Sequence, residues 1–305
     1  MRISTNTIYQ SGTSKLSTLQ SDQAKLQQQI ATGRRILNPS DDPIASARAL
    51  EVSHEKTINT SFADTRKVAQ LKLNTLEANL TSVTNLLVST QSSLVGAGNG
   101  ALSNNERKII STELQGSLEA LIGLANTQDA SGNFIYAGFK SNTPAFTATA
   151  TGATYNGDAQ QQMLQVDPQR QMSVNVTGDS LFQSGGYDVF ATLSNLVTLL
   201  NTPITNAATQ AAFSSGVSTA IGNLQGSVDN VLNVRTAIGT KLNELDTLDT
   251  AGTDRDLQYS QSLSDLQDLD YTAALSDLAK QQTIMEAAQK SFVKTTSLSL
   301  FDFIR

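Results

Sequence analysis

The sequence predicts a mainly α-helical chain with a small β-rich insertion, which is an α+β fold. Apolar residues recur every three or four positions over most of the chain, as on one face of a helix. This spacing gives way to short alternating segments between about residues 141 and 185. Both ends of the chain carry heptad stripes. We therefore expect a long antiparallel helical bundle made from paired N- and C-terminal halves, with a projecting β domain.

Residues 1–30 carry one narrow apolar stripe. Its members alternate spacings of three and four, as in the seam of a coiled coil, and they are Tyr9, Gly12, Leu16, Leu19, Gln23, Leu26 and Ile30. Glutamines flank the stripe on both sides. A stripe this thin does not form a core by itself, so the pattern predicts a helix that needs a partner.

A joint whose residues define its geometry separates this first helix from a second one. Gly33 is well placed as the left-handed residue that closes the first helix. Asp41 or Asp42 is expected to cap the second helix, and Pro43 suits its first position. Arg34 and Arg35 are expected to bind acidic groups of this joint or of a neighbouring subunit, because the planar guanidinium favours fixed pairing.

Two further helices are predicted to form an antiparallel pair. The second helix continues to the glycine-rich turn at residues 96–100, where a hairpin tip is expected. The third helix begins after Ser103, and Glu106 three residues on predicts a capping box. The apolar residues of this third helix are expected to pack back on the second.

The pattern then changes to strands. We expect a strand over Phe134–Phe139, followed by strands at residues 146–150, 153–155, 162–166 and 172–176. Helical spacing returns at Val189, breaks at Thr202-Pro203 and resumes to Leu248. Gly252 is expected to interrupt that helix, and a final helix is predicted to begin near Asp254. Its stripe contains Tyr271, Leu275, Leu278, Gln282, Met285, Gln289, Phe292, Thr296, Ser299 and Phe303.

The two terminal stripes are best explained by pairing with each other. The entropic cost of closing so long a loop grows only logarithmically with its length. The predicted division is a terminal coiled-coil core domain (1–38 and 256–305), a helical bundle domain (39–140 and 186–255) and a β-rich insertion domain (141–185).

Composition excludes several classes of function. The net charge is −6 and cysteine is absent, which argues against nucleic-acid binding and removes thiolate metal sites and cysteine nucleophiles. His54, beside Glu51 and Glu55, is most simply a solvated helix residue, and the acidic pair at the joint is more simply a cap than a cation site. We expect no enzyme activity and no cofactor.

No apolar run approaches the about 20 residues that span a bilayer, and the N-terminus lacks a secretory signal core, so neither membrane binding nor a cleaved signal peptide is expected.

The joint resembles the corresponding segment of the flagellin family. Members carry Ser/Thr-Gly-Lys/Arg-Arg-Ile and, a few residues later, Asp-Asp-Pro, which here are residues 32–36 and 41–43. The whole layout of the chain is similar to that superfamily. Residues 136–146 and the ending 298–305 resemble the members found at the hook–filament junction more than flagellin.

The resemblance implies a structural subunit of the bacterial flagellum. Its expected partners are hook-associated protein 1, flagellin, a ring of identical subunits and a flagellar export chaperone, with export through the flagellar type III channel to the cell exterior. Two other functions stay open: flagellin itself, or a secreted coiled-coil adhesin or type III translocator. The candidate assembly residues are Leu16, Leu19, Leu26, Ile30, Gly33, Arg34, Arg35, Asp41, Asp42, Leu275, Leu278, Met285, Phe292, Phe301 and Phe303.

Overall fold

The computed structural model of the chain describes residues 5–98 and 102–297, and it confirms the mainly α-helical fold with a small β insertion. The elements are α1 (Thr5–Thr32), α2 (Pro43–Ala97), α3 (Asn104–Ala125), β1 (Phe146–Thr149), β2 (Gly152–Tyr155), β3 (Met163–Asp167), β4 (Arg170–Ser173), α4 (Gly178–Phe182), α5 (Val189–Asn201), α6 (Ala207–Gln267) and α7 (Tyr271–Ser297).

The chain divides into two compact units. The first, called the end unit here, comprises Met1–Ile58 and Asp254–Arg305, and the second, the central unit, comprises Asn59–Thr253. Each unit is built from helices that are distant in sequence. No helix of the described part of the chain is long and apolar enough to cross a membrane.

The central unit has one hydrophobic core. Leucines and valines at helical spacing on α2, including Leu80, Val83 and Leu87, are buried with their counterparts on α3, α5 and α6. Helix α3 packs directly against α5. The predicted capping box is confirmed at the start of α3: Ser103 Oγ accepts from the Glu106 N–H, and the Glu106 carboxylate accepts from the Ser103 N–H at 2.7 Å. The expected glycine tip is described only as far as Gly98, and residues 99–101 lie outside the described residues.

Two antiparallel hairpins make up the β insertion. In β1–β2, Phe146 lies opposite Tyr155, and in β3–β4, Leu164 lies opposite Met172. The last strand begins at Arg170 instead of near residue 172, because the two residues after Asp167 form a tight turn that pairs Asp167 with Arg170. The buried side chains of the hairpins belong to the same core as the helices. Phe146 contacts Phe190, with ring centroids 4.8 Å apart.

The prediction of a strand over Phe134–Phe139 is wrong. Only Phe134 makes an isolated bridge, to Gln128, and the following residues form turns. Gly138 has a left-handed backbone with φ of 70°, and the carboxylate of Asp158 accepts from the Phe139 N–H at 3.0 Å. The aromatic residues that suggested a strand are held by turns, with Tyr136 fully buried in the core.

Tyr136 anchors a buried polar cluster in the central unit. Its hydroxyl donates to Asn79 Oδ1 at 2.6 Å, and Asn79 Nδ2 donates to Thr127 Oγ1 at 2.7 Å. Burial raises the pKa of Tyr136 far above its usual range, with a smaller contribution from the carboxylate of Glu77. The segment 136–146 is therefore tied to α2 through this cluster.

Gly252 does not interrupt the long helix, contrary to expectation. Helix α6 continues through it to Gln267, and the helix break lies at Asp268–Asp270. A Cβ at position 252 would collide with the guanidinium of Arg66, which donates to Asp249 Oδ1 and to the Val166 carbonyl, each at 3.2 Å. The glycine makes room for a buried arginine instead of ending the helix.

Candidate functional site

The joint between α1 and α2 has the stop-and-restart geometry that its sequence indicates. Gly33 follows α1 with φ of 69°, in the left-handed region that glycine favours. Of the two candidate caps, Asp42 is the one that caps α2, since its Oδ1 accepts from the Ala45 N–H at 3.0 Å. Pro43 is the first residue of the helix.

Asp41 has a different task, which is to fold the loop before α2. Its Oδ2 accepts from the N–H groups of Leu37 and Asn38, and its Oδ1 lies 2.7 Å from Lys25 Nζ on α1. The hydrogen bond from Lys25 is the main reason that the pKa of Asp41 lies below its ordinary value. The pKa of Asp42 is also lowered, chiefly by the backbone N–H of Ala45. Both carboxylates are thus held in their charged form.

A second segment of the chain, Asp268–Asp270, completes the joint. The Leu269 N–H donates to the Gly33 carbonyl at 2.9 Å, and the Arg35 N–H donates to the Gln267 carbonyl at 2.8 Å. Asp270 caps α7 by accepting from the N–H groups of Thr272 and Ala273 at 2.9 and 3.1 Å. The link from α1 to α2 and the link from α6 to α7 are therefore joined as one short two-stranded rung.

Sequence reasoning missed this return segment. An aspartate immediately before the apolar stripe of α7 was the available signal, because aspartate is a preferred N-cap residue. The partners of the rung lie more than two hundred residues apart, so their pairing left no local pattern.

The two arginines of the joint contribute differently. Arg35 reaches across the rung: its Nη2 donates to the Leu266 carbonyl at 2.9 Å, and its Nη1 lies 3.3 Å from Asp42 Oδ2. Arg34 is exposed, and its backbone forms a β-bridge with that of Asp268. Arg34 also borders a groove of about 510 Å³, whose other lining residues include Ile36, Leu37, Pro43, Ala47 and Leu50.

The terminal helices α1 and α7 pack against each other as an antiparallel pair. Leu16, Leu19, Leu26 and Ile30 of α1 are half-buried, as are Leu278 and Phe292 of α7, and Met285 is 9% exposed. The ring of Tyr9 contacts that of Phe292 at a centroid distance of 5.4 Å. Phe301 and Phe303 lie outside the described residues.

The side of α7 that faces α1 differs in part from the stripe read from the sequence. Leu275 is 53% exposed, while Ala274 beside it is only 4% exposed. Similarly, Gln281 and Ala288 are half-buried where Gln282 and Gln289 are exposed. The small alanines face α1, which leaves room for its larger side chains. Leu275 is part of the exposed surface of this unit.

The interactions of the site are caps, ion pairs and an apolar seam. Among the described residues, no group of three or more histidine and carboxylate side chains is placed to hold a metal ion. A sequence profile described as the bacterial flagellin N-terminal helical region matches residues 3–141. Flagellar hook-associated protein 3 of Escherichia coli strain K12 is 35% identical over 315 residues, which cover 99% of each chain. The chain belongs to the flagellar hook-associated protein 3 family.

Solved structures agree with this membership. A flagellar hook-associated protein from Vibrio parahaemolyticus superposes with a TM-score of 0.69 at 25% identity, covering 75% of this chain and all of that one. The flagellar junction protein FlgL from Legionella pneumophila has the same fold, with a TM-score of 0.63 at 19% identity, covering 72% of this chain and 100% of its own. The family is one of structural flagellar proteins.

Proposed function

We propose that this chain is the structural subunit that joins the flagellar hook to the flagellin filament. The observation that carries the proposal is the full-length similarity to hook-associated protein 3. On the hook side its partner would be hook-associated protein 1, and on the filament side flagellin. Copies of the chain would form a ring between them, outside the cell.

The terminal pair supports an assembly role. Among the described residues of α1 and α7, the buried apolar side chains are Ala274 and Met285, so the seam between them is narrow. Ordering a helix costs roughly 1–2 kcal/mol per residue in backbone entropy, and each fully buried large side chain returns only about 1.5–3 kcal/mol. Neighbouring subunits would supply the missing burial, so that the ends order as the ring assembles. Before assembly, an export chaperone would cover the C-terminal segment, and export would proceed without a cleaved signal peptide.

Deletion of the gene tests the proposed role directly. A junction subunit predicts cells that carry hooks but no filaments and shed flagellin into the medium, with recovery on re-expression of the parent chain. Filaments of normal length on the deletion strain would contradict the proposal. Antibody labelling of purified filaments distinguishes a junction subunit from an adhesin. The antibody would label one end of the filament for a junction subunit and the filament surface for an adhesin.

A double substitution tests the part played by the terminal seam. Leu278→Asp with Met285→Asp places two charges where α7 faces α1, while the core of the central unit is untouched. We expect a soluble protein that retains the helical signal of its central unit but does not restore swimming. The matched control is Leu278→Met with Met285→Leu, which keeps the seam apolar and should restore swimming. Normal swimming of the Asp variant would show that the seam is dispensable.

A further inference from the structure

The groove beside the joint carries a single charge. It encloses about 510 Å³, and Arg34 is the one charged residue among the described residues that line it. Ile36 and Leu37 in its wall are half-buried, whereas Ala47 and Leu50 of α2 are exposed, with Leu50 at 74%. A large aliphatic side chain left in water next to other apolar groups is typical of a surface that another chain covers.

The guanidinium of Arg34 is available to a partner. Arg34 is exposed, and its side chain makes no hydrogen bond or ion pair with any described residue, although its backbone bridges to Asp268. The guanidinium of Arg35, by contrast, is used inside the joint, on the Leu266 carbonyl and on Asp42. An unpaired arginine at the edge of an apolar groove favours a partner that brings a carboxylate flanked by apolar side chains.

One segment of this chain has that composition. Residues 300–304 read Leu-Phe-Asp-Phe-Ile, and no other carboxylate in the sequence stands between two aromatic residues. The segment lies outside the described residues, so its sequence alone enters the argument. Bound in extended form, it would direct Phe301 and Phe303 to one side and Asp302 to the other. The two rings could then enter the groove while the carboxylate meets the guanidinium at the rim.

The segment cannot reach the groove of its own chain. Helix α7 begins beside Arg34, since a Cβ at Gly33 would lie 2.8 Å from the hydroxyl of Tyr271. Ser297 lies 26 residues further on, which is about 39 Å at 1.5 Å per residue. Asp302 follows Ser297 by five residues, and five extended residues span at most about 18 Å. The carboxylate of Asp302 therefore stops about 20 Å short of Arg34, which is more than the two side chains can bridge.

We propose that the groove binds residues 300–304 of a second copy of this chain, with Phe301 and Phe303 against Ala47 and Leu50 and with Asp302 paired to the Arg34 guanidinium. The inference rests on the proposed ring, which brings the joint of one copy next to the C-terminal segment of another. The contact is heterologous, because one copy supplies the groove and the other supplies the segment. Contacts of this kind close into rings when they are repeated around an axis.

Cysteine cross-linking in assembled flagella tests the contact, since the chain itself has no cysteine. A strain without the gene expresses the Leu50→Cys, Ile304→Cys double variant, and its isolated flagella are treated with a short bismaleimide. Linked dimers and larger products are quantified on denaturing gels with an antibody against this chain. Each single variant controls for links between like positions. If Leu50→Cys does not assemble, Ala47→Cys takes its place in the groove.

The matched control is Ile44→Cys with Ile304→Cys. Ile44 is also an exposed aliphatic residue of α2, at 78%, but it does not line the groove. We expect the Leu50→Cys pair to give at least about tenfold more linked dimer than this control. Equal yields from the two pairs would overturn the proposal. A product that joins the Leu50→Cys variant to a different protein would assign the groove to that protein and would overturn it as well.

Charge reversal tests Arg34 and Asp302 as a pair. In the double-cysteine background, Arg34→Glu and Asp302→Arg should each lower the dimer yield at least about tenfold, and the two together should restore it to within about threefold of the starting yield. A reversal that blocks assembly counts as a loss, which the combined variant must also restore. A role of Arg34 within its own joint alone predicts no rescue by a change at residue 302, so absence of rescue would refute the pairing.

The outcome is separate from that of the junction role. A deletion strain without filaments, together with flagella that give no specific cross-link, would retain the junction role and reject only this contact. Filaments of normal length on the deletion strain would reject the junction role itself, whatever the cross-linking shows.

Discussion

Replacing Tyr136 by phenylalanine should destabilise the central unit by a measurable amount. Tyr136 is 0% exposed, and its hydroxyl donates to Asn79 Oδ1 at 2.6 Å. The substitution leaves the ring in place but removes the donor, so the carbonyl oxygen of Asn79 stays in the core without a partner. Leaving a buried polar atom unsatisfied costs about 1–3 kcal/mol in the free energy of unfolding.

The corresponding shift in melting temperature follows from the size of the unit. For a unit as large as Asn59–Thr253, 1 kcal/mol corresponds to roughly 2–4 °C, so the midpoint should fall by about 2–12 °C. Thermal unfolding of the full-length protein, followed by circular dichroism, measures the shift. Tyr187→Phe is the matched control, because this tyrosine is 40% exposed and belongs to the same unit.

A double-mutant cycle isolates the hydrogen bond itself. Asn79→Ala and Tyr136→Phe should each destabilise the unit, and their combination should cost less than the sum by about 0.5–3 kcal/mol, as for residues in contact. If Tyr136→Phe melts together with the parent and the Tyr187→Phe control, the hydroxyl does not stabilise the core, and the argument from its burial is refuted.

Three further predictions concern the pH response, the joint and the central unit. Burial raises the pKa of Tyr155 to about 12 and that of Tyr136 further, whereas an unfolded tyrosine titrates near pH 10. The two neutral hydroxyls therefore stabilise the folded state fully below about pH 10, and this contribution is lost as the pH rises. Ultraviolet titration should show both tyrosines still protonated at about pH 11, and titration of all tyrosines near pH 10 would contradict this. Asp42→Ala removes the cap of α2, so cells with this variant should swim poorly. Asp42→Asn retains a capping side chain, and cells with it should swim normally. Equal swimming with the two variants would exclude a capping role. Limited proteolysis should cleave the terminal stretches first and spare residues from about 45 to 250, and early cuts inside that range would count against a stable central unit.

Local backbone chemistry made most helix ends predictable from the sequence. Gly33 ends α1, Pro43 starts α2 and the Ser103–Glu106 box starts α3, because each signal acts within a few residues of itself. Gly252 shows the limit of this reasoning. Its effect on α6 depends on Arg66, a neighbour nearly two hundred residues away, and no local pattern reveals that contact.

The candidate site was predictable to a similar extent. A spacing of three and four residues places the stripe of α7 only to within one residue, so Leu275 and Ala274 fit the pattern equally well. Packing against α1 decides between them in favour of the alanine. The pairing of Leu269 with Gly33 was missed for a related reason, because a backbone rung between distant segments needs no particular side chains.

The rung at the joint also has a mechanical consequence. The two links to the terminal helices are fastened to each other by the Leu269–Gly33 and Arg35–Gln267 hydrogen bonds and by the guanidinium of Arg35. A force that pulls on α1 is therefore shared with the link to α7 before either one stretches. In a rotating appendage, tension applied to one terminal helix would be carried in parallel by both links, the one between α1 and α2 and the one between α6 and α7.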